Sequence, residues 1–234
     1  FIIKGTPVKN ITADISYLQP NKRLFGKKII ITGGGRGLGA SMAAKFVAEG
    51  ASVLIAGRGE KALKETSEKI GCKYLILDVS KVETFVDFMS QADILEVTPE
   101  TFDKQVNTNF KGAFFLTQEF VKLIKANNRK GTILFTSSET GDTMDFRPYG
   151  FTKAAVNSMV QGLAYLFAKD NIRVNAVAPG VTASEMTGFS ADGNLLFESN
   201  QTERIYLPEE VAETACFLLS EASGCVSGQI IVCN

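Results

Sequence analysis

Thr32-Gly33-Gly34-Gly35-Arg36-Gly37-Leu38-Gly39 is the stretch on which the reading of this chain turns. Residues 27–31 before it are apolar and β-branched, the composition of a buried strand. Residues 40–49 after it (ASMAAKFVAE) read as a helix that stops at Gly50. Glycines at a strand-to-helix turn allow a sharp bend and let backbone approach a phosphate closely. The helix N-terminus then offers that phosphate unpaired N–H groups and the positive end of a dipole. A glycine turn of purely structural purpose is the alternative; the strand and helix on either side favour a nucleotide site.

Working outward, 234 residues with 45% hydrophobic composition suffice for one substantial α/β core. Residues 1–25 contain Pro7 and Pro20, lack clear periodicity, and read as an irregular extension without the charged and apolar regions of a signal peptide. Residues 26–234 read as a single domain. Strands are expected at 51–56, 73–77, 131–136, 173–177 and 229–233. Helices are expected at 60–70, from Ser80 through Met89, at 102–126 with Thr98 and Pro99 at its start, at 149–168, and at 209–220. Alternation of this kind predicts a doubly wound parallel sheet, three layers α/β/α. One region is crowded. The 18 residues between Ser80 and Pro99 must hold a helix, a fourth strand (94–97 at best) and two connections. A crossover alone takes about 10–12 residues, so residues are expected to be missing from the chain between Met89 and Ile94.

Charge and composition exclude several functions. Lys+Arg and Asp+Glu balance at 25 each, which argues against nucleic acid or an anionic membrane surface as partner. No apolar run is long enough to span a bilayer. The absence of histidine removes His-based triads and most His-containing metal sites, and no metal site is expected. Cys72, Cys216, Cys225 and Cys233 are scattered, without a CxxC pair, and read as reduced, mostly buried thiols of a cytoplasmic protein.

Two Tyr-x-x-x-Lys pairs could carry chemistry, Tyr149…Lys153 and Tyr165…Lys169. The strand at 131–136 ends at Ser137-Ser138, and Tyr149 opens the next helix. In a parallel sheet, sites lie at the carboxyl ends of strands beside helix N-termini, so Tyr149 is expected near Ser138. Tyr165 lies about 24 Å further along the same helix and reads as a surface or packing residue. A Lys one turn from a Tyr favours the phenolate and lets the phenol exchange a proton with a carbonyl or alcohol oxygen. The alternative is a helix-start Tyr packed on a loop, with Ser138 as a turn residue.

These motifs, together with Asp78-Val79, Asn109-Phe110-Lys111-Gly112 and Val174-Asn175-Ala176-Val177-Ala178-Pro179-Gly180, occur in the order found in the short-chain dehydrogenase/reductase family, which the chain resembles from about Leu24 onward. The resemblance implies a Rossmann fold and reversible hydride transfer between a nicotinamide and a carbonyl or alcohol. Its nearest likenesses are 3-oxoacyl-thioester reductases and sugar or polyol dehydrogenases. It implies Ser138, Tyr149 and Lys153 as catalytic residues, with Asn109 holding a relay water. Cofactor contacts would come from Gly33, Gly35, Arg36, Gly37, Leu38 and Gly39, from Asp78 and Val79 at the adenine, from Tyr149 and Lys153, and from Pro179, Gly180, Val181 and Ser184. The family's Asn-Asn-Ala-Gly turn after the fourth strand is absent from the sequence. A nucleotide-binding family member without catalysis, acting as sensor or scaffold, is the competing class.

The expected cofactor is NADP(H) in preference to NAD(H). The second strand ends Ala56-Gly57-Arg58 without the acid that would bind a ribose 2′-hydroxyl, and Arg36 adds a second cation for a 2′-phosphate. Phe114, Phe115, Leu116, Phe120 and Val121 make a helix apolar on more than one face, as in a homo-oligomer, for which the family suggests a tetramer. The polar stretch 187–204 reads as a mobile substrate loop that names no substrate.

Overall fold

Strand β1 (Lys28–Thr32) enters the glycine turn and helix α1 (Gly37–Ala48) leaves it. The computed structural model describes residues 12, 20–77, 94, 97–184, 187–191, 193–200 and 202–234. After α1 come β2 (Ser52–Gly57), α2 (Glu60–Ile70) and β3 (Lys73–Ile76). The helix expected from Ser80, the Asp78-Val79 pair, and Leu95 and Glu96 of the expected fourth strand lie outside the described residues. The chain continues with α3 (Pro99–Val106), a π-turn (Asn107–Lys111), α4 (Gly112–Ala126), β4 (Gly131–Thr136) and α5 (Pro148–Phe167). It closes with β5 (Ile172–Pro179), α6 (Pro208–Leu219) and β6 (Ile230–Cys233).

Local chemistry accounts for these boundaries. Thr98 caps α3 by accepting from the Thr101 N–H at 3.3 Å, and Pro99 occupies the first turn. Gly71, in the left-handed region at φ 72, ends α2. Where the sequence reads one helix over 102–126, the structure inserts the π-turn. There the Thr108 hydroxyl takes the Lys104 carbonyl at 2.8 Å, a bond that competes with the helical ladder.

All strand pairs are parallel, in two three-stranded sheets ordered β1-β2-β3 and β4-β5-β6. Among the described residues β1 pairs only with β2 and β4 only with β5, so each keeps one open edge. The two halves share a core. Alternate residues Ile29, Ile31, Val53 and Ile55 of one half and Leu134 and Val177 of the other pack into the apolar cluster formed with α1 and α6. On the opposite face Phe135, Val174 and Ala176 pack with Val121 of α4 and Val156 and Val160 of α5. Among the described residues that second layer packs on the β4-β5-β6 half alone, and Ile30 of β1, read from the sequence as part of a buried strand, is 61% exposed.

The stretch after β5, expected to be mobile, has a small core of its own in which Ala183, Leu195 and Ile205 are buried against Phe189 and Phe197. Its polar composition had hidden these apolar anchors. Of the cysteines, all free thiols, Cys216 is buried but Cys225 is exposed, against the expectation of mostly buried thiols.

Residues 20–25 join the body. Leu24 is fully buried, and Arg23 reaches the C-terminal end of α1, where its Nε donates to Glu49 Oε1 at 3.0 Å. The Glu49 side chain has no exposed surface; the Asn21 and Arg23 N–H groups and Lys45 Nζ also hold it, and Glu213 completes the group. Burial alone would raise the Glu49 pKa, but these donors hold it down to about 2. The stabilisation is present above the ordinary carboxylate pKa of 4.5 and is lost as pH falls from there through about 2. Glu49→Ala leaves Arg23 and Lys45 to share Glu213 alone and strips the Asn21 and Arg23 N–H groups of their acceptor, and is expected to cost about 3–5 kcal/mol. Denaturant unfolding at pH 7 and pH 3 checks this: the loss should be smaller at pH 3, and an equal loss at both would contradict it.

Candidate active site

Among the described residues the glycine turn, Arg58, Ser138 and the segment from Gly180 stand at the carboxyl ends of β1, β2, β4 and β5. The glycine turn is fastened to the end of β2, with Gly33 N–H donating to the Ala56 carbonyl at 2.8 Å. Its glycines are required sterically. A Cβ on Gly39 would lie 2.4 Å from the Gly33 carbonyl oxygen, and one on Gly34 would lie 2.6 Å from Ile55. Gly33 and Gly37 have φ of 71 and 51, in the left-handed region. The turn ends at the start of α1, where the first-turn N–H groups of Gly37, Leu38 and Gly39 have no partner within the helix. Gly35 packs on α2, where a Cβ would lie 3.3 Å from Leu63.

Against the turn stands Ser184, whose Cβ is 3.9 Å from the position a Cβ on Gly37 would take. The segment leading to it leaves β5 at Pro179 and Gly180, the latter tied to the Cys233 carbonyl at 3.0 Å, and runs through Val181. The Ser184 and Thr187 hydroxyls, 3.1 Å apart, fix that wall. Arg36 at the N-cap of α1 and Arg58 just after β2 are both exposed on the glycine side. A helix N-terminus, glycines without room for a Cβ and two arginines together suit a phosphate-bearing dinucleotide. Asp78 and Val79, which the resemblance assigns to the adenine, lie outside the described residues.

At the end of β4 the expected constellation converges. Ser138 is buried, and its hydroxyl is hydrogen-bonded to the Tyr149 phenol and accepts from Thr140. Lys153 Nζ stands 5.3 Å from the Tyr149 ring centroid and donates to the Thr136 carbonyl, the last of β4, at 2.9 Å. Ser137 adds a second tie to α5, donating to Asn157 Oδ1 at 2.5 Å. Burial raises the Tyr149 pKa. The Ser138 bond and the Arg147 charge oppose that rise, and Asp145 and Glu139 add to it. Burial pulls Lys153 down to about 8. Tyr165, in the other Tyr-Lys pair, is 90% exposed.

Asn109 sits in the π-turn. Its amide donates to Gln105 and to the Thr152 hydroxyl, each at 3.1 Å, which brings it beside the residue preceding Lys153. Three neighbours escape sequence reading: Thr152, the Thr136 carbonyl, and the Asp145–Arg147 pair. In that pair Arg147 Nε and Nη2 donate to the two Asp145 oxygens, each at 2.8 Å. The carbonyl has no sequence signal. The Asp-x-Arg spacing just before Tyr149 was the available clue to the pair.

The profile described as Enoyl-(Acyl carrier protein) reductase matches residues 84–234, and the one described as short chain dehydrogenase matches residues 27–94. Dehydrogenase/reductase SDR family member 4 of Caenorhabditis elegans is 30% identical over 250 residues, covering 90% of this chain and 95% of its own. The 3-oxoacyl-(acyl-carrier-protein) reductase FabG of Chlamydia trachomatis is 29% identical over 239 residues, covering 89% and 96%. A crystal structure of a short-chain type dehydrogenase/reductase from Mycobacterium marinum superposes with TM-score 0.79 at 28% identity, covering 90% of this chain and 95% of that one. The chain belongs to the short-chain dehydrogenase/reductase family, nicotinamide-dependent oxidoreductases of CH–OH and carbonyl groups. The 250 positions aligned with the Caenorhabditis protein outnumber the 234 residues here, so that relative carries internal residues without a counterpart in this chain. Among the described residues no helix is long and apolar enough to cross a membrane.

Proposed function

We propose that this protein is a cytoplasmic NADP(H)-dependent carbonyl reductase or secondary-alcohol dehydrogenase. It would act on a small-molecule substrate such as a 3-oxoacyl thioester or a sugar or polyol. The observation that carries the reading is the meeting of Ser138, Tyr149 and Lys153 at the end of β4. A bound reduced nicotinamide supplies the hydride. The chain's own residues manage the oxygen. Ser138 and Tyr149 donate hydrogen bonds to the carbonyl oxygen as negative charge develops there, and the Tyr149 proton passes to it. Lys153 holds the nicotinamide ribose and, when protonated, stabilises the phenolate that remains. Asn109, fixed beside Thr152, holds the water through which the proton is restored. Gly33, Gly35, Gly37, Leu38 and Gly39 receive the pyrophosphate, Arg36 and Arg58 the 2′-phosphate, and Pro179, Gly180, Val181 and Ser184 the nicotinamide carboxamide.

A second reading, dinucleotide binding without turnover, is favoured by the absence from the sequence of the family's Asn-Asn-Ala-Gly turn; among the described residues no strand pairs with the outer edges of β1 and β4. The family places a strand and its Asn-Asn-Ala-Gly turn between them, and residues missing from the chain between Met89 and Ile94 would account for that gap.

Tyr149→Phe keeps the ring and removes the proton; carbonyl reduction should fall about 10²–10⁴-fold while NADPH binding persists. Tyr165→Phe, on the exposed side of the same helix, should change it little. Equal rates for the parent and Tyr149→Phe would overturn the assignment. Replacing Arg36 and Arg58 together by Ala should raise the KM for NADPH far more than that for NADH, and parent protein using both cofactors equally would contradict the preference. The exposed Phe114, Phe115 and Leu116 on α4 suit burial against a second copy in a homotetramer; light scattering at micromolar concentration should return a multiple of 25.3 kDa, and a monomeric mass would contradict it.

A further inference from the structure

Glu139 follows Ser138 directly, in the single 3-10 turn that leaves β4. The proton relay proposed above does not use it. Among the described residues its carboxylate has no cationic partner, and its side-chain hydrogen bond comes from Asn234 Nδ2 at 3.3 Å. Its Oε2 stands over the end of β5, where a Cβ built on Gly180 would meet it at 3.0 Å. The half-buried carboxylate thus lies across the ends of β4, β5 and β6. It is also near enough to Tyr149 for its charge to oppose ionisation of the phenol. The other charged groups facing Tyr149 are committed elsewhere. Asp145 is held in a fork by Arg147, and Lys153 donates to the Thr136 carbonyl. A half-buried carboxylate next in the chain to Ser138, with a weak amide donor as its partner, has acceptor capacity to offer a ligand.

We propose that Glu139 is a specificity-determining residue: it accepts a hydrogen bond from a hydroxyl or ammonium group carried next to the substrate carbonyl, so the site prefers hydroxy- and amino-ketones to plain ketones and rejects keto acids. The inference rests on the reductase reading above. A substrate without a donor leaves the carboxylate poorly satisfied, and one with a carboxylate meets like charge at close range.

The test measures kcat/KM with NADPH for three ketones of similar size: 2-hydroxyacetophenone, propiophenone and phenylglyoxylate. The parent should favour the hydroxyketone about tenfold or more over propiophenone, with the keto acid poorest. Glu139→Leu should abolish the hydroxyl preference. Glu139→Gln, which keeps an acceptor and loses the charge, should retain part of that preference and admit the keto acid. In both variants the pH limb that titrates Tyr149 should move to lower pH, because a negative charge opposing the phenolate is gone. A residue that only supports the fold would not move substrate ratio and pH limb together. Reduction by the parent with the same substrate ratios in Glu139→Leu would overturn the role of Glu139 alone. NADPH binding without reduction of any ketone would overturn the reductase reading and this proposal with it.

Discussion

Phe46, Val53, Ile55 and Leu218 meet Leu134 and Val177 in one apolar layer beneath α1 and α6, and both half-sheets rest on it. No backbone ladder joins β1 to β4 among the described residues. This layer, not a hydrogen-bonded sheet, therefore sets how the glycine turn faces the end of β4. Burial of apolar surface has no direction of its own, but the period-2 alternation of the strands does. With Leu134 committed to the α6 side, Ile133 and Phe135 must point to α4 and α5, and the strand's last carbonyl arrives where Lys153 can use it. The Arg23–Glu49–Lys45–Glu213 group fastens residues 20–25, α1 and α6 at the rim of the same layer.

The electrostatics of the site follow from that placement. Lys153 is desolvated and lies near 8, so its charge is conditional around neutral pH, while burial raises the Tyr149 phenol. Both shifts disfavour charge: desolvation favours the neutral amine of Lys153 and the neutral phenol of Tyr149, which keeps the phenol in its proton-donating form. Backbone and hydroxyl partners stabilise Lys153 and Tyr149 here, and the nearby charges are arranged around them: Arg147 helps the phenolate, whereas Asp145 and Glu139 oppose it.

Much of this was legible in the sequence because local signals and global fold agree. Glycines 33–39 between an apolar strand and a helix fixed the turn, Thr98-Pro99 fixed the start of α3, and Ser138 and Tyr149 were placed together by strand-end logic. What was not legible depends on contacts distant in sequence or on backbone atoms. The Thr136 carbonyl that receives Lys153 carries no side-chain signature. The π-turn at Asn109 arises inside an uninterrupted helical pattern. Ile30 reads as buried by composition and is exposed where, among the described residues, no second layer packs on its half of the sheet. The crowding between Ser80 and Pro99 was visible as a shortage of residues, and it falls in the stretch of chain between β3 of one described sheet and β4 of the other.

The central claim is that these strand ends carry out hydride transfer and do not merely hold a dinucleotide. Incubating the protein with NADPH deuterated at the transferable C4 position and a ketone, then locating the label in the product by mass spectrometry, tests it directly. The account predicts an alcohol carrying deuterium on the carbinol carbon. Saturable NADPH binding with no label in any alcohol would contradict it.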